Sequence, residues 1–191
     1  MLLGAAAGSM LAICIGMATI HAASAADVDV QALFAKAQSD GRVGAARKTK
    51  PVDVRPAQPE EVVVTEIAGE GKETQSPPAK PGDMVVRNRC PETGNEEILV
   101  SAAKFAQRYE GPVGDAAADG WLPYRPKGVE MLYLILSADE GPFSFIAPWG
   151  EAMVAKPGDA IVQDPNNSAD TYRIAAAAFA CTYEITRPAG G

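Results

Sequence analysis

Residues 79–88 read AKPGDMVVRN, and residues 155–164 read AKPGDAIVQD. The same five residues stand twice, each time ahead of a strand-like run. The Pro ring presets φ at about −65°, and Gly accepts positive φ. Pro81-Gly82 and Pro157-Gly158 therefore each suit the centre of a type II turn. Asp83 and Asp159 follow, where a carboxylate hydrogen-bonds nearby backbone amides.

Working outward, residues 79–110 align with residues 155–184. About a dozen of the aligned positions are identical, against roughly two or three expected from average composition. The matches include the PGD words, Val86 with Val162, Phe105 with Phe179, and Tyr109-Glu110 with Tyr183-Glu184. A self-similarity of this kind reads as an internal duplication. Each copy reads as turn, strand, polar hairpin loop, return strand and short helix. Ser101 stands at the N-cap position of the first helix. In both copies Phe and Tyr lie four apart, on one helical face.

Each PGD word also has a strand candidate upstream, EEVVVTEI (60–67) and VEMLYLIL (129–136). These follow the similar words VRP at Val54 and YRP at Tyr124. The second half adds FSFIAPWGEAMV (143–154), a hairpin turning at Pro148-Trp149-Gly150. The expected fold is α+β: duplicated β-hairpin–helix units sharing an antiparallel sheet or a barrel-like core.

The pattern APWGEAMVAKPGD (147–159), closed by Phe179 and Tyr183-Glu184, resembles the small uncharacterised bacterial and phage proteins grouped as PGDYG. The resemblance spans about 60 residues of the second half and, more weakly, about 30 of the first. The tyrosine that follows PGD in that family is absent, with Met84 and Ala160 in its place. The resemblance implies a fold and brings no established activity.

The chain has 191 residues and a formal charge of −7. An acidic surface repels phosphate backbones, so nucleic acid is not an expected partner. Residues 1–25 carry no Asp, Glu, Lys or Arg and end in AASA. They read as a signal peptide cleaved before Ala26, which makes the mature protein periplasmic or secreted. Uncleaved, this segment would be the chain's only route to a membrane. Cleavage also removes His21, the single histidine. Histidine-dependent nucleophile systems and His-based metal sites are then excluded, including the metal centre of cupin-type barrels. No cofactor or metal is expected. Cys90 and Cys181 fit no zinc spacing. In an oxidising compartment they either pair, across a loop of about 90 residues, or remain free thiols.

The expected organisation is a signal peptide (1–25), a flexible segment (26–53) with a short helix near Val30, a first repeat (54–110), a connector (111–127), a second repeat (128–186) and a tail (187–191). Asp83 and Asp159 read as turn caps first and as paired carboxylates second. Glu110 and Glu184 end helices where the dipole disfavours an acid, so each calls for a basic partner. Tyr109 and Tyr183 read as core residues with anchored hydroxyls. The connector DGWLPYRPKG (119–128) gathers Trp121, Tyr124, Arg125 and Lys127, with Trp149 as a possible neighbour. Aromatic and basic residues in one loop make a candidate contact surface for a protein or an anionic small molecule. The expected function is a non-catalytic exported binding or interaction module. The alternative is a histidine-free enzyme using carboxylate or Tyr groups.

Overall fold

The computed structural model describes residues 26–190, so the expected signal segment and its cleavage site lie outside the described residues. β1 (Ala26–Asp27) leads into α1 (Val30–Ser39), β2 (Gly44–Lys48) and β3 (Val52–Pro56). A hairpin of β4 (Val64–Ile67) and β5 (Gly71–Gln75) comes next. Then follow β6 (Met84–Asn88), a 3₁₀ turn (Pro91–Thr93), β7 (Glu97–Val100), α2 (Ala102–Arg108) and β8 (Tyr109–Glu110). The C-terminal half holds β9 (Leu122–Pro126), β10 (Glu130–Ile135), β11 (Phe143–Ile146) and β12 (Ala152–Ala155). It ends with β13 (Ala160–Asp164), β14 (Asn167–Ile174), α3 (Ala176–Thr182) and β15 (Tyr183–Arg187). Short helices on mostly antiparallel strands make the chain α+β.

Two five-stranded sheets carry the fold, in the orders β7-β6-β3-β9-β8 and β14-β13-β10-β2-β15. A three-stranded sheet (β1-β11-β12) and the β4-β5 hairpin complete it, and no sheet closes on itself. The fourth strands of the two large sheets are exchanged: β2 precedes β3 in the chain yet pairs with β10 and β15. β9 precedes β10 yet pairs with β3 and β8.

Several expected boundaries are corrected by this exchange. Residues 26–53 are not a flexible segment. Phe34 on α1 and Ala45 and Ala46 on β2 have no exposed surface. GAARK hides its strand character because its three buried residues are small and its last two are charged. The connector contributes β9, leaving 111–120 as the exposed link. The words VRP and YRP are not equivalent, since they lie on neighbouring antiparallel strands with Val52 opposite Tyr124. Val64–Ile67 does not join a large sheet and instead forms a hairpin with Gly71–Gln75. The hairpin expected at Pro148-Trp149-Gly150 forms, joining β11 and β12.

Both PGD words make the same structure. Gly82 and Gly158 each have φ of 89°, the left-handed value that a type II turn demands. The Asp83 amide donates to the Lys80 carbonyl, and the Asp159 amide to that of Lys156, each at 3.1 Å. The Asp83 carboxylate accepts from the Lys80 amide (2.9 Å) and from the Ala102 amide of α2 (3.0 Å). Asp159 does likewise with Lys156 (2.8 Å) and Ala176 of α3 (3.1 Å). One carboxylate thus fastens a turn and satisfies a free N–H of a helix start. Ser101 occupies the N-cap position but makes no side-chain cap bond, because Asp83 already serves that helix.

The second sheet is packed on both faces. α1 delivers Val30, Phe34 and Ala37 to Leu134, Phe145, Met153 and Ile161. On the other face Phe179 of α3 meets Met131, Tyr133 and Val162. The first sheet buries Val52, Val54, Val86 and Tyr109, with Phe105 of α2 against them. Phe105 and Tyr109 stack at 5.2 Å, and Phe179 and Tyr183 at 5.1 Å.

Candidate functional site

A cleft of about 440 Å³ runs between the two large sheets. Ile98, Val100, Met131 and Ile174 give it apolar walls. Polar groups enter from four directions. Arg108 ends α2 and Tyr109 follows it, while Tyr183 follows α3. Asp170 and Tyr172 sit two apart on β14, on one face of the strand. Lys48 ends β2, opposite Tyr183 in register.

These groups form a connected network. Arg108 Nη2 donates to Asp170 at 2.8 Å, and Nη1 to the Tyr172 hydroxyl at 3.2 Å. Lys104, one turn earlier on α2, also donates to Asp170. Lys48 donates to Asn88 Oδ1 and to the Tyr109 hydroxyl, the latter at 3.4 Å. Asn88 in turn donates to buried Glu96 at 2.6 Å, and Glu96 accepts from Thr93. Burial pushes the Tyr172 phenol up. Tyr183 is raised well above the usual range, by burial first and then by Tyr172 and Tyr109 nearby. Both phenols therefore remain protonated donors at neutral pH. Burial works against the Arg108 charge, but Tyr172 and Asp170 outweigh it and hold its pKa above the ordinary value.

A second cluster adjoins the cleft. Buried Arg173 donates to Asp159 (2.6 Å), Glu73 (2.8 Å) and Glu70 (2.7 Å). It thereby ties the β4-β5 hairpin to the second PGD turn. Glu73 is pushed up to about 7, by burial first, against the pull of Arg173 and with the help of Glu96, Asp159 and Glu70. The carboxylates gathered around Glu73 outweigh the single guanidinium it meets, which adds to the effect of burial.

The expected contact loop is dispersed. Trp121 is buried with Val63 and Val85, under the guanidinium groups of Arg87 (4.2 Å) and Arg55 (5.2 Å). Tyr124 is half-buried, its ring edge-on to Phe105 at 5.1 Å. Arg125 is exposed, opposite Glu110 in register. Lys127 donates to the Ala106 carbonyl at 2.7 Å, near the end of α2. Trp149 belongs to another cluster. Its indole N–H donates to Thr74 at 3.2 Å, its ring lies 6.0 Å from Tyr172, and it lines the cleft. Glu184 meets a basic partner, Arg47, at 3.2 Å.

Cys90 and Cys181 form a disulfide with Cα atoms 6.1 Å apart, tying the 3₁₀ turn to α3. Lys48, Lys104, Arg108, Asp170, Tyr172 and Glu73 escape a reading based on repeats and loops. Arg108 left one signal: it stands where the second copy has Thr182, beside the retained tyrosine. Lys48 carries none, because only the strand exchange brings β2 to the cleft, and Lys104, Asp170, Tyr172 and Glu73 meet their partners only across separate elements. No described helix is long and apolar enough to cross a membrane. Comparisons of the chain with family models, curated proteins and solved structures found no match.

Proposed function

We propose that this protein is an exported, non-catalytic binding module whose ligand occupies the cleft between the two large sheets. The carrying observation is the convergence of Tyr109, Tyr172, Tyr183, Arg108 and Lys48 on a cleft with apolar walls. A concave, mostly apolar site with a few polar groups is the usual form of a small-molecule site. A thermal-shift screen of small molecules tests this reading. A ligand raises the melting temperature by binding the folded state. The double variant Tyr172→Phe/Tyr183→Phe should abolish that shift while the free protein melts nearly as before. A ligand whose shift survives the double variant places the site elsewhere.

Export and ancestry belong to the same reading. The charge-free segment 1–25 supports export, and N-terminal sequencing of periplasmic or secreted protein should begin at Ala26. We further infer that the halves arose from one duplicated PGDYG-like unit. The matching strand orders and paired carboxylate caps support this. A histidine-free enzyme is the second reading, favoured by Glu73, which is half-ionised near neutrality. Under that reading Glu73→Gln abolishes turnover of a bound ligand without weakening its binding.

A further inference from the structure

Lys48 is a cation without a counter-ion among the described residues. It is half-buried at the end of β2, and both of its hydrogen-bond acceptors, Asn88 Oδ1 and the Tyr109 hydroxyl, are neutral. No described carboxylate pairs with it. The nearest acid along the network, Glu96, is held off by the Asn88 amide, which donates to it at 2.6 Å. Lys104 and Arg108, by contrast, share Asp170, and Asp164 lies 3.9 Å from Arg108. A partly buried charge without a partner is costly, and an anion placed beside it removes that cost.

The hydroxyls around it are oriented for the same task. The Tyr109 oxygen accepts from Lys48, and the Tyr172 oxygen accepts from Arg108. Each phenol therefore has its own proton left to donate. Hydrogen bonds to an ionised acceptor are roughly twice as strong as neutral ones. The cleft lining also includes the apolar side chains of Ile98, Val100, Met131 and Ile174. Building on the reading of the cleft as the ligand site, we propose that its ligand is a monocarboxylate with an apolar body. The carboxylate sits on the Lys48 ammonium and the Tyr109 and Tyr172 hydroxyls, and the body lies along the apolar wall.

Isothermal titration of the full chain with sodium octanoate and with octan-1-ol tests this. Octanoate should bind at least about tenfold more tightly than octanol. Lys48→Met should remove that advantage and leave octanol binding unchanged. Tyr109→Phe should reduce octanoate affinity several-fold, and it carries the same test if Lys48→Met folds poorly. Equal binding of the two probes, or octanoate affinity untouched by both variants, overturns the carboxylate and leaves the cleft a binding site. If neither probe binds but neutral Nile red enters the cleft and is excluded by Met131→Trp, the ligand class again falls alone. If none of the three binds, the reading of the cleft falls with it.

Discussion

Asp83 and Asp159 show how one residue type in one motif acquires two different energetic weights. Both carboxylates cap a turn and a helix start. Only Asp159 also holds a buried guanidinium, that of Arg173. Asp83→Ala removes caps and should cost about 1–2 kcal/mol. Asp159→Ala breaks a buried ion pair as well and should cost about 3–5 kcal/mol. Urea unfolding of the two variants measures the gap, and equal costs would refute a structural role for the Asp159–Arg173 pair. Glu73 adds a pH dependence. Its folded pKa of about 7 lies above the ordinary 4.5, so the folded state holds the proton more tightly than the unfolded chain. The stabilisation is full below about pH 4.5 and is lost as pH rises through about 7, on the order of 3 kcal/mol in all. Glu61 and Glu140 act in the opposite sense. Their partners, Arg55 and Arg42, hold each at about 2, so their contribution is lost as pH falls below about 4.5. Glu73→Gln should flatten the stability profile between about pH 4.5 and about pH 7 and leave its acid limb intact.

At the scale of elements, the two short helices are alike in sequence and unequal in burial. α3 buries Ala178, Phe179 and Thr182, whereas no residue of α2 is fully buried. α3 packs on a sheet already closed on its far face by α1. α2 leaves Phe105 half-covered beside Tyr109 and Tyr124. Phe179→Ala should therefore cost about 3 kcal/mol or more through lost burial and a residual cavity. Phe105→Ala should cost roughly half as much, because its side chain gives up less buried surface. Chemical denaturation of both variants checks the order. The Phe–Tyr spacing told which face turns inward, although the tyrosines themselves stand on β8 and β15 just beyond the helices. It did not tell how deep that face lies, because depth is set by neighbours that are distant in sequence.

For the whole molecule, the exchanged strands make each half incomplete without the other. A protease site inserted in the exposed link 111–120 should yield two fragments that co-elute in native gel filtration even after reduction. β2 and β9 still bind across the cut, each through two ladders. Fragments that separate under native reducing conditions would show that the exchange contributes little. The disulfide adds a covalent tie between the halves. Closing a loop of about 90 residues restricts the unfolded chain by about 4.6 kcal/mol in the loop-entropy account. Cys90→Ser/Cys181→Ser should lower the midpoint of urea unfolding accordingly and leave the fold unchanged.

The sequence by itself determined the local structures. Pro-Gly-Asp encodes its turn twice because ring closure, positive φ and a short carboxylate act within four residues. The APWG hairpin is local in the same way, whereas the helices stop at Arg108 and Thr182 and leave Tyr109 and Tyr183 on strands, each ring stacked on the Phe four residues back. Only the tertiary structure decided which strands are neighbours. GAARK and LPYRP pair with segments far away in the chain, and no local propensity records that choice. The cleft depends on it, since the exchange carries Lys48 beside Tyr109 and the facing sheets bring Arg108 to Tyr172. Trp121 and Arg125 look like a surface in sequence. Val63, Val85 and the stacked guanidinium groups of Arg87 and Arg55 bury the tryptophan, while Arg125 stays exposed. A side chain's chemistry is legible in the sequence. Its exposure and its partners are set by long-range packing, which is why the loop was visible and the cleft was not.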